Sequence, residues 1–175
     1  MGILSIFSNI MNSDAKEKQE AISSLEKRLH GLFRDKSVDE LTRCACISGL
    51  LARVAYVDME IHEGEREEIK SSLMTWCNLD GALAQNIASM AIEEIKNLAS
   101  LENHLYTRPL QAMLNDDEKL DLLKALFAVA ASDGETDANE SEEIRSITKG
   151  LCVDSRYFNA ARATVLESLA ALKVK

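Results

Sequence analysis

A chain of 175 residues has room for one domain with a sizeable apolar core; a single proline, seven glycines and sparse aromatics favour helix over strand throughout. Twenty basic against 29 acidic side chains leave a formal charge of -9, which argues against nucleic acid or anionic lipid and favours cationic partners. No apolar run approaches the roughly 20 residues that cross a bilayer, and four cysteines without a secretion signal suggest reduced, mostly buried thiols in the cytoplasm.

The acidity is uneven. Residues 1–36 carry six Lys or Arg and five Asp or Glu, leaving 14 and 24 for the remainder, so residues 1–36 are read as an N-terminal segment and 37–175 as the helical domain. Ile3, Leu4, Ile6, Phe7, Ile10 and Met11 follow helical spacing, which predicts a short amphipathic helix over residues 1–11. It either packs on the domain or makes a peripheral membrane or partner contact. Asp14 caps a helix running to about Phe33, with Ile22, Leu25, Leu29, Leu32 and Phe33 on one stripe.

Ser37 followed by Glu40 is a capping box that opens the next helix. Leu41, Ala45, Ile47, Leu50, Leu51, Val54 and Ala55 make that helix almost wholly apolar, suited to a central position, and it is predicted to end at Asp58. Ile69, Leu73 and Trp76 mark a third helix. A fourth runs from about Gly81 to Ala99 with Leu83, Ile87, Met90, Ile95 and Leu98 inward. Between Leu101 and Asn115 the pattern is less regular, and Thr107 is expected to cap a short helix with Pro109 just inside its start. Asp116 is expected to cap a helix carrying Leu120, Leu123, Leu126, Phe127 and Ala130. The last helix, about Ser155 to Val174, should turn Phe158, Val165, Leu166, Leu169 and Leu172 inward.

Displaced on itself by 75 residues, the sequence aligns 47–69 with 122–144, and nine of the 23 positions are identical, far above chance. The repeats span about 41–99 and 116–174, and Cys77 falls on Cys152 as an apparent pair of core contacts. Two copies make a pseudo-two-fold all-α bundle and not a solenoid.

Each copy runs a buried helix into an acidic loop: Asp58, Glu60 and Glu65 in the first, Asp133, Glu135, Asp137 and Glu140 in the second. Asp137 and Glu140 have capping-box spacing, and Gly134 suits a left-handed residue beyond a helix end. Capping leaves Asp133 and Glu135 unexplained. They sit beside the carbonyl end of a helix, where negative charge is disfavoured by up to about 1 kcal/mol each. A calcium or magnesium ion would relieve this, since both prefer hard oxygen ligands; a neighbouring Lys or Arg would serve as well. The loop is not an EF-hand: with Asp133 first, Ala138 stands at the glycine position and Ile144 at that of the bidentate Glu. The first copy has Met59 for Gly134 and His62 for Asp137, so the second loop ranks first.

Val54-Ala55-Tyr56-Val57-Asp58 with Glu65, and Val129-Ala130-Ala131-Ser132-Asp133-Gly134-Glu135 with Glu140, resemble the repeated signature of the TerB-like tellurite-resistance family over about Leu41 to Leu172. The resemblance implies an all-α, internally pseudo-symmetric bundle without catalytic activity, cytoplasmic or at the inner face of the inner membrane. It also implies a role in binding metal ions or partner proteins, including membrane-associated resistance components, and it carries over Asp58, Glu65, Asp133 and Glu140. Similar domains occur in membrane-bound DnaJ-type co-chaperones, but no His-Pro-Asp triplet is present.

No enzyme class gains support. None of His30, His62 or His104 follows a Glu by three residues, as a di-iron bundle requires, and no phosphate loop or nucleophile elbow appears. Cys44 and Cys46 read as core thiols, and Asp58 and Asp133 form a carboxylate pair only if the loops meet. The expectation is therefore a non-enzymatic stress-response protein that binds a divalent cation through its acidic loops. The alternative is an interaction scaffold at the inner membrane face with no metal site.

Overall fold

The computed structural model describes Arg28, Leu29, Gly31 and residues 36–97, 103–132, 134 and 136–173. These form helices α1 (Val38–Ala55), α2 (Glu63–Cys77), α3 (Gly81–Asn97), α4 (His104–Met113), α5 (Asp116–Ala130), α6 (Ala138–Gly150) and α7 (Ser155–Lys173), with no strand among the described residues. The terminal helix predicted over 1–11, most of that predicted over 14–33, and Leu98 lie outside them. Leu29 is fully buried in the main core, and Arg28 reaches Glu93 and Glu94 of α3 at 3.2 and 3.1 Å.

The fold is arranged around α1. Its capping box forms as the sequence requires: the Glu40 N–H donates to Ser37 Oγ at 3.3 Å and the Ser37 N–H to Glu40 Oε2 at 2.9 Å. From Leu41 onward its side chains are buried except for the half-buried Arg43 and Arg53. It packs against α2, α3, α4, α5 and α6. Each buried Leu or Ile on it contributes roughly 1.5–3 kcal/mol. The helix stops at Ala55, three residues before the predicted end. There the Val57 and Met59 N–H groups bond the Val54 and Tyr56 carbonyls in tight turns, and Met59 enters the left-handed region at φ 68°.

The least regular stretch of sequence is the helix α4, which begins after Asn103 and not at Thr107. Thr107 is fully buried within the helix, its hydroxyl donating to the Asn103 carbonyl at 3.1 Å. Pro109 lies inside the helix, lacking only the N–H that would bond Leu105. Packing overrides propensity here. Leu105, Tyr106 and Leu110 are buried, and Gly49 and Gly150 let α4 approach closely, since a Cβ would stand 2.4 Å from Tyr106 Cε1 at Gly49 and 2.6 Å from Thr107 Oγ1 at Gly150.

Three further expectations need correction. The α5 cap is Asn115, whose Oδ1 accepts the Glu118 N–H at 2.9 Å, and Asp116 is the first helical residue. On α7 the inward line is Phe158, Ala161 and Val165, with Phe158 edge-on to Phe127 at 5.1 Å; Leu166, one position on and so about 100° round the helix, is 47 % exposed. The side chains of Leu169 and Leu172 lie outside the described residues.

The cysteine pairing also fails. Cys77 is buried and Cys152 is exposed. The left-handed residues are Asn78 at φ 50° and Cys152 at φ 54°, each followed by an N–H bonding five residues back, Leu79 to Met74 and Val153 to Thr148. The two helix ends therefore match at a spacing of 74, one residue short of the repeat, and Cys152 is the counterpart of Asn78.

Candidate functional site

The duplication brings the two acidic loops together. Asp58, His62 and Glu65 of the first face Ala130, Ser132, Thr136, Asp137 and Glu140 of the second around one cavity of ≈ 220 Å³. The loops pack tightly beside it: a Cβ at Gly64, in the first turn of α2, would stand 3.3 Å from both Ser132 O and Oγ.

Local chemistry positions each acid. Asp137 caps α6, its Oδ1 accepting the Glu140 N–H at 2.7 Å while its own N–H donates to Glu140 Oε2 at 2.8 Å. Glu65 occupies the equivalent position of α2, buried, and accepts the His62 N–H at 2.7 Å. Asp58 is exposed and folds back on its own turn, Oδ1 accepting the Glu60 N–H at 3.0 Å. That local role went unassigned in the sequence. Glu60 is exposed and does not line the cavity.

Residues 43–163 match a family model described as Tellurite resistance protein TerB. The chain belongs to the TerB family. No curated protein and no solved structure matches it.

In this TerB protein two opposing fields meet at the cavity. The N-terminal ends of α2 and α6 supply positive partial charge that favours Glu65, Asp137 and Glu140. Carboxylates gathered around one space repel one another, an effect that water screens at the exposed Asp58 and Asp137. The carboxylates and the Ser132 and Thr136 hydroxyls supply oxygen donors, the chemistry of calcium or magnesium, beside His62 and the apolar Ala130. Among the described residues no group of three or more His, Cys, Asp or Glu is arranged to hold a metal ion. Asp133 and Glu135, the two acids that capping does not explain, lie outside the described residues.

The hydroxyls of Ser132 and Thr136 and the ring of His62 were not among the sequence-derived site residues. The 75-residue alignment places His62 on Asp137, and that register was the available signal for the histidine. Nothing in the sequence singles out the hydroxyls. No described helix is long and apolar enough to cross a membrane.

Proposed function

We propose that this TerB-family protein is a non-enzymatic stress-response protein that takes up a divalent cation between its two acidic loops and works in complexes with other proteins. The supporting observation is the convergence of Asp58, Glu65, Asp137 and Glu140 on one cavity. An ion there would offset the mutual repulsion of carboxylates that two separate halves of the chain supply. Asp133 and Glu135 would add charge to the same loop. Oxygen ligands without EF-hand spacing suit weak, calcium-like binding.

Calcium titration of the full chain by calorimetry, with amide shifts followed by NMR, tests this. Saturable heat and shifts at Asp58, Asp137 and Gly134 are expected, and Asp137→Asn with Glu140→Gln should weaken binding at least tenfold. Asn and Gln keep both capping bonds, so the charge alone is removed. Absence of heat and of shifts overturns the reading.

One observation favours the competing scaffold reading, in which partners are recruited at the inner membrane face without metal. Glu65, Asp137 and Glu140 each already make a capping bond. On that reading the doubly substituted protein retains its function and partners.

A further inference from the structure

Cys44 of α1 and Cys77, the last residue of α2, are both buried where α1 packs against α2. They line a second cavity of ≈ 190 Å³, together with Lys36, Arg43 and Trp76, at the end of the α1–α2 hairpin away from Asp58. Core cysteines normally face aliphatic neighbours and are inert. Here two thiols lie beside a space that admits a small molecule, with Lys36, Arg43 and the carboxylate of Glu40 on its wall.

We propose that Cys44 and Cys77 are an oxidisable dithiol, converted by hydrogen peroxide into a disulfide that staples α1 to α2. The Cys44 thiolate attacks one peroxide oxygen, breaking the O–O bond; the sulfur becomes a sulfenic acid, and the departing hydroxide takes up the proton lost from Cys44. The Cys77 sulfur then displaces the sulfenic hydroxyl, which leaves as water with the Cys77 proton. Two thiols lose two electrons and the peroxide is reduced to two waters. The interaction with Cys44 and then burial favour the protonated form of Cys77, while Lys36 and Arg43 pull the other way. On this proposal Cys77 takes the resolving step.

The device belongs to the first repeat alone. Position 119, the counterpart of Cys44, is Lys, and Cys152 is exposed. Oxidation closes the α1–loop–α2 hairpin into a ring and so stiffens the loop that carries Asp58 and Glu65, independently of whether a cation binds there.

The test uses the full-length reduced protein carrying Cys152→Ser, which removes the exposed thiol, treated with hydrogen peroxide. Two of the three remaining thiols should disappear, the intact mass should fall by about 2 Da, and non-reducing peptide maps should join the Cys44 and Cys77 peptides. The melting temperature should rise by several degrees and return with dithiothreitol. Adding Cys77→Ala should abolish the cross-link and leave Cys44 to oxidise further; the unsubstituted protein, mapped in the same way, covers any failure of a variant to fold. The proposal is overturned if Cys44 and Cys77 stay fully alkylatable after peroxide, or if they join only once the protein is unfolded.

Discussion

At the scale of single residues, the two acidic loops solve one backbone problem with different side chains. Gly134 at φ 104° and Met59 at φ 68° occupy matching positions after the central helices. Glycine takes up positive φ freely, whereas a side chain there costs roughly 1–2 kcal/mol. Met59 is 76 % exposed, so its removal costs little packing. Met59→Gly should therefore stabilise the protein by about 0.5–1 kcal/mol after the entropy of glycine is subtracted, and Gly134→Ala should destabilise it by about 1 kcal/mol or more. Urea titration of both variants checks the opposite signs. The capping boxes at Ser37 and Asp137 were legible in the sequence because they depend on residues three apart. The Asx turn of Asp58 and the hydroxyls of Ser132 and Thr136 were not, since their roles depend on how the chain folds around them. The buried Glu65 offers a second test: Glu65→Gln keeps an acceptor for the His62 N–H and should cost little, whereas Glu65→Ala should lose about 1–2 kcal/mol, measured by thermal melts.

At the scale of elements, periodicity located the helices that bury a continuous stripe and failed where a helix is held by its neighbours. α4 lies in a stretch whose apolar pattern is less regular and which carries a proline, yet it is wedged between α1 and α6. The signals for that wedge are Gly49 and Gly150, which in a sequence look like helix-weakening residues and in the fold are the floor on which α4 rests. Gly49→Ala should destabilise by about 1–3 kcal/mol through overpacking against Tyr106, although alanine is the better helix former by about 1 kcal/mol. An exposed-site propensity scale predicts the opposite sign, so a urea midpoint decides which effect wins. A one-residue shortening at the end of α6 likewise hid from the 75-residue alignment, because identity at Cys77 and Cys152 masked the slip that turns Cys152 outward.

At the scale of the whole molecule, the repeat does not make two units. Residues of α1, α2 and α3 share one buried cluster with residues of α4, α5, α6 and α7, and the half-buried Arg53 of α1 pairs with Glu143 of α6 across the repeats. The sequence indicated the duplication and left open how the copies meet; the answer is face to face, which is why one cavity draws carboxylates from both. Neither copy alone buries the apolar surface of α1, whose side chains are covered on nearly every side. Unfolding in urea should therefore be a single transition, superimposable by far-ultraviolet circular dichroism and by the fluorescence of Trp76, which lies on α2 beside Glu118, Asp121 and Ala125 of α5. Truncation after residue 103 should leave a chain without cooperative unfolding. Two separated transitions, or a stably folded first half, would mean that the copies are independent domains and that the convergence of their acidic loops adds nothing to stability.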